Sequence, residues 1–221
     1  MANTLTSPSM GFQTFGRVEG SSPTDGLTPV WIASTDASLI FRGDPIVTSS
    51  AGGTNNSGNY ITAAASGNGF IRGVFQGLYQ FQPAAGRVVW SNFYNGVVTG
   101  STGDVKAYVI DDPDTLFLVQ GSTSAAITSS FVNLNIGFTA NSSTANTMTG
   151  YSNATVSSST VGSSGGLPFR IVDFYSAYAL PAIPNIGAAA FINGTDNTSP
   201  ANMVIVRLNN CDRNSLTARS A

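Results

Sequence analysis

The stretch Phe131-Val132-Asn133-Leu134-Asn135-Ile136-Gly137-Phe138 decides the fold class. Its apolar side chains at 132, 134, 136 and 138 alternate with Asn133, Asn135 and Gly137, a period of two that fits a strand with one buried and one wet face. On either side, Leu116-Phe117-Leu118-Val119 and Met203-Val204-Ile205-Val206 are unbroken apolar runs, expected where both faces of a strand are covered. Upstream, short apolar runs at 30–33, 39–41, 46–48, 60–62, 70–81 and 87–90 are each bounded by Gly, Pro, Asn or Asp. Helix signals are scarce: Pro181 and Pro184 break 176–191, and Asp212 caps at most a short tail helix over 212–221. The expectation is an all-β fold, a sandwich or barrel body with an extended amino-terminal arm, long polar loops and very little helix.

Three parts follow along the chain. Residues 1–28 hold Pro8, Pro23, four glycines and the isolated aromatics Phe12 and Phe15, with no sustained period, and read as an extended arm. Such an arm must bury its phenylalanines on its own body or on a neighbour. Residues 29–125 form a β-rich body, and residues 126–221 a second β-rich part packed on it. Within the latter, 140–166 turns to Ser, Thr, Asn and Gly, with Met148, Tyr151, Val156 and Val161 as sparse anchors. That excursion fits a long loop, a thin solenoid-like piece or a pair of polar edge strands.

Composition narrows the function. Ser, Thr, Asn and Gly fill 94 of 221 positions, and only 9% of residues are charged, against roughly 25% in ordinary soluble domains. With 42% hydrophobic residues and a net charge of -2, the chain is neither disordered in character nor basic enough to hold a nucleic-acid duplex by counterion release. No window approaches a membrane-spanning apolar length, and the opening 16 residues have no leader-like pattern, so neither membrane nor signal peptide is expected.

The sequence contains no histidine and one cysteine, Cys211, which rules out Ser-His-Asp and Cys-His catalysis and His-containing zinc sites within this chain. Gly162-Ser163-Ser164-Gly165-Gly166 matches the form of a nucleophile elbow but sits in a Ser/Gly run, without the strand and helix that the motif requires. Asp111, Asp112 and Asp114 around Pro113 read first as a turn. They also leave open a calcium-type oxygen site or a carboxylate pair acting on a glycoside. No cofactor, metal or catalytic residue is expected.

The order of segments carries a resemblance. Gly11-Phe12 and Arg17 come first, then Leu39-Ile40-Phe41-Arg42-Gly43-Asp44-Pro45-Ile46-Val47, Gly73-Val74-Phe75-Gln76-Gly77, Trp90 and Tyr94. After these come Ala107-Tyr108-Val109-Ile110-Asp111-Asp112-Pro113, Phe117 and Val119-Gln120. Arg170-Ile171-Val172-Asp173-Phe174 and Met203-Val204-Ile205-Val206-Arg207-Leu208-Asn209 complete the pattern. In this order the chain resembles the capsid decoration, or cement, proteins of tailed bacteriophages, over most of its length except 140–166. The resemblance implies a non-enzymatic virion protein made in the bacterial cytoplasm. It would bind the outer capsid surface, commonly as a homotrimer, and clamp major capsid protein subunits. Phe12, Phe15 and Arg17 are the arm's interface candidates under that reading. The alternative is a glycan-binding or host-attachment β-module whose Tyr79, Trp90, Phe93 or Tyr94 stacks on sugar rings.

Overall fold

Glycine, proline and aspartate turns divide the chain into fourteen short strands in the computed structural model, which describes residues 10–20, 26–50, 59–82, 86–96, 103–141, 147–175 and 200–213. In order these are β1 Gln13–Arg17, β2 Thr28–Ile32, β3 Leu39–Phe41, β4 Pro45–Thr48, β5 Ile61–Ala63, β6 Gly73–Gln82, β7 Arg87–Ser91, β8 Phe93–Asn95, β9 Val105–Ile110, β10 Thr115–Gln120, β11 Asn135–Thr139, β12 Thr155–Gly162, β13 Phe169–Phe174 and β14 Met203–Leu208. The strands pair antiparallel throughout, and the described residues contain no α-helix.

One sheet runs β1-β10-β14-β13-β11-β12. It curls until Val156 of β12 meets Gly121 just beyond β10, where Ser122 N–H donates to the Val156 carbonyl at 2.8 Å. Alternation sends Phe117, Val119, Ile136, Phe138, Val156, Phe169, Ile171, Val204, Val206 and Leu208 inward, all buried. Each such side chain contributes roughly 1.5–3 kcal/mol by leaving water.

The second sheet runs β2-β9-β6-β4-β5, with β7 added to the far end of β6. Its ends also meet, through a parallel bridge between Trp31 and Tyr60 and a 3.0 Å bond from Trp31 N–H to the Asn59 carbonyl. Val30, Ile32, Ile46, Ile61, Phe75, Leu78, Ala107 and Val109 fill this second, smaller core. The separate antiparallel pair of β3 and β8 adds Ile40 and Tyr94 to it.

The turn between β3 and β4 joins the two curled sheets. Gly43 takes φ 91°, a conformation open to glycine, so that its N–H reaches the Phe75 carbonyl while its own carbonyl receives the Phe12 N–H, both at 2.9 Å. Next to it Asp44 is buried, accepting from Phe41 N–H at 2.7 Å, from Asn141 Nδ2 at 3.3 Å and from the Ser152 hydroxyl. Burial pushes its carboxyl up to about 6, against the opposing pull of those three donors. Neutral amides do similar work elsewhere: Asn202, buried, accepts from Ile127 N–H at 3.1 Å and donates to the Ile127 carbonyl at 2.7 Å, standing in for a strand partner.

Several expectations change. The described part of the arm is not free: β1 pairs with β10, and Phe12 is fully buried in the first core. β10 lies in one sheet with β14 and β1, and β9 in the other with β2 and β6. The decisive alternating stretch becomes strand only from Asn135. Asn133 adopts φ 69° after a 3-10 turn at Ser129–Phe131, leaving Val132 and Leu134 half-buried. The run at 116–119 is covered on one face only, since Leu116 and Leu118 remain partly exposed. In the excursion, β12 is a polar end strand, and Ser152 reaches Asp44. Residues 176–191 and the tail beyond 213 lie outside the described residues.

Candidate functional site

The arm candidates have three different surroundings. Phe12 stacks on Phe169 with ring centroids 4.3 Å apart, and its side chain is unavailable to a neighbour in the folded chain. Arg17 ion-pairs with Asp112 at 2.7 Å. Phe15 is the exposed member, 42% accessible, because β1 shifts register between Thr14 and Gly16. Its ring meets Tyr175 edge-on at 5.8 Å. It borders the outer face of the first sheet, where Leu116 and Leu118 of β10 stand in register with Arg207 and Ile205 of β14. Arg207 in turn faces Arg170 of β13.

A second exposed face lies on β7, β6 and β9. Tyr79 pairs in register with Trp90 on one side and Lys106 on the other, and Gly77 pairs with Tyr108. The rings form one cluster: Tyr79 to Trp90 at 5.1 Å, Tyr79 to Tyr108 at 5.7 Å and Trp90 to Tyr108 at 5.6 Å. A side chain at Gly77 would put a Cβ 2.3 Å from Trp90 Cζ2, so the indole rests on bare backbone there. Trp90 Nε1 donates to Asn92 Oδ1 at 3.2 Å, which fixes the ring's direction, and 42% of the residue remains accessible. Lys106 Nζ sits 5.7 Å from the Tyr108 ring centre. Phe81 and Val88, opposite one another farther along, are also exposed.

Of the four aromatics proposed from sequence for stacking, the structure brings Tyr79 and Trp90 together on this face and separates off the other two. Phe93 stacks on Phe41 at 5.6 Å. Tyr94 is buried, its hydroxyl donating to the Asp36 carbonyl at 2.9 Å. Desolvation first, then the charges of Asp36 and Asp104, push its phenol up to about 12. Tyr108 was missed because it sits in a run of strand-forming residues. Its signal was the outward parity it shares with Lys106, opposite to that of Ala107 and Val109.

The aspartates do not converge. Asp111 is buried, accepts from Thr28 Oγ1 at 2.8 Å and pairs with Arg72 at 3.1 Å and Arg213 at 3.2 Å. Arg72 also reaches Asp212 at 3.2 Å, where Thr48 donates at 2.6 Å. Asp112 faces Arg17 instead and accepts the Asp114 N–H at 3.0 Å, an Asx turn. Among the described residues no group of three or more Asp, Glu, Cys or His is arranged to hold a metal ion. Gly162-Ser163-Ser164-Gly165-Gly166 runs from β12 toward β13 without a helix, and Ser164 Oγ accepts the Gly166 N–H at 3.3 Å.

Comparison with protein-family models, with curated proteins and with solved structures found no match in any of the three.

Proposed function

We propose that this chain is a structural protein of a tailed-phage virion that binds the outer capsid surface, self-associates as a homotrimer and cements contacts between major capsid subunits. The observation that carries the reading is the outer face of the first sheet, where exposed Phe15 borders the partly exposed Leu116 and Leu118 on a chain with very little charge. Burying one phenylalanine or leucine on a partner contributes roughly 1.5–3 kcal/mol. Trimerisation and repetition over a shell convert such modest gains into durable attachment through effective concentration. The resemblance of the segment order to that of decoration proteins supports the same reading, and close-packed copies with little net charge repel one another weakly. Sedimentation with purified empty heads tests it. Wild-type protein is expected to pellet at a fixed ratio to the capsid subunit and Phe15→Ser to pellet less; absence of wild-type protein from the pellet contradicts the reading.

A second reading, a glycan-binding module, is favoured by one feature, the exposed indole of Trp90 resting on Gly77 beside Tyr79 and Tyr108. Such a ring can stack on the apolar face of a sugar. Glycan-array binding by the purified protein that disappears in Trp90→Ala supports it; an array without signal removes it.

A further inference from the structure

Arg170 and Arg207 are direct register partners on β13 and β14. Their neighbours Phe169, Ile171, Val206 and Leu208 all point into the first core, so strand alternation sends both arginines to the outer face. Residues paired in this way have Cβ atoms about 4.5–5.5 Å apart, and like charges so placed destabilise a sheet.

The other described arginines with ion-pair partners are Arg17, Arg72 and Arg213, and Arg42 lies over the Tyr151 ring at 5.6 Å. Among the described residues no carboxylate forms an ion pair with Arg170 or Arg207. Asp173, the next acidic residue along β13, turns its Oδ1 to the Phe174 N–H at 2.7 Å. Arg170 is oriented by a 3.2 Å bond from Nε to the Asn133 carbonyl, which leaves both terminal nitrogens of its guanidinium for another acceptor. With nine Lys and Arg in the whole chain, placing two opposite each other on one face is a conspicuous use of charge.

We propose that Arg170 and Arg207, with the partly exposed Leu116 and Leu118 of β10 on the same face, form the docking surface for an acidic side chain of a partner protein, an Asp or Glu set among apolar residues. The inference rests on the capsid-binding reading, which makes that partner the capsid subunit. Two guanidiniums opposite each other offer forked donors to one carboxylate, and apolar neighbours exclude the water that would weaken the contact. The partner's charge also relieves the repulsion that the free chain carries. Two arginines are too few to track a nucleic-acid backbone.

The test measures binding to purified empty heads and thermal unfolding of the free protein, for wild type, Arg170→Gln/Arg207→Gln and the control Arg87→Gln on the other sheet. The double variant is expected to bind at least tenfold more weakly and to melt no lower than wild type, while the control binds normally. Normal binding by the double variant overturns the proposal, as does a fall in melting temperature that assigns the arginines to the fold. Wild-type protein that fails to bind heads overturns the capsid reading and this inference with it, an outcome distinct from the other two.

Discussion

The ring of Phe12 lies against that of Phe169, 4.3 Å between centroids and 15° from parallel, which fastens the amino-terminal stretch into the first core. Phe138 meets Phe169 edge-on at 6.1 Å. Phe12→Ala is therefore expected to cost about 3–5 kcal/mol in urea unfolding. Phe15→Ser, at an exposed position of the adjoining strand β1, is expected to cost less than about 1 kcal/mol. Equal losses would show that the stretch does not dock as described.

Asp44 gives stability a pH dependence of unusual sign for a carboxylate. Its folded-state value, about 6, lies above the ordinary 3.8, so the folded chain holds this proton more tightly than the unfolded one. The contribution is complete below pH 3.8 and is lost as pH rises through about 6. Asp44→Asn keeps a neutral group there at every pH. The variant should gain on the order of 2 kcal/mol relative to wild type between pH 4 and pH 7, measured by parallel denaturant titrations. A difference that stays constant with pH would exclude ionisation of Asp44 in this range.

Neighbouring aspartates should behave differently. Asp111→Asn removes the buried partner of Arg72 and Arg213 and is expected to cost about 3 kcal/mol. Asp112→Asn breaks only the partly exposed pair with Arg17 and is expected to cost under about 1 kcal/mol. Millimolar calcium should leave the melting temperature of wild type unchanged, because arginines already occupy Asp111. A calcium-dependent rise would restore the oxygen-site reading.

At Gly77 a methyl group would meet Trp90 Cζ2 at 2.3 Å and the Ser91 carbonyl at 2.8 Å. Gly77→Ala should therefore lift the indole from the sheet, costing about 1–3 kcal/mol. Read on a Trp31→Phe background, Trp90 fluorescence should shift to longer wavelength. Unchanged emission would mean that the ring does not rest there.

Period and punctuation made the strands legible, because the apolar runs between Gly, Pro, Asn or Asp became strands, most of them with a buried row, whereas the run at 87–90 became the exposed strand β7. What local pattern does not carry is which rows meet. The run at 131–138 looked like continuous strand, yet Asn133 turns left-handed and gives the first half to a turn. Phe12 looked like an arm residue because nothing nearby in sequence covers it; its cover, Phe169, is 157 positions away. Trp90 and Tyr79 were visible as aromatics, but only the pairing of β6 with β7 and β9 shows that they share an exposed face with Tyr108. Likewise Arg170 and Arg207 appeared as separate charges until β13 and β14 set them opposite each other.

The capsid-binding account is tested most directly by locating this chain in a purified virus particle by electron cryomicroscopy, with its copy number counted against the major capsid subunit. The account predicts trimers at a fixed ratio on the outer shell, with the outer face of the β10 and β14 sheet, including Arg170 and Arg207, turned toward the capsid. Density confined to the tail or fibres, or a shell without this chain, would contradict it.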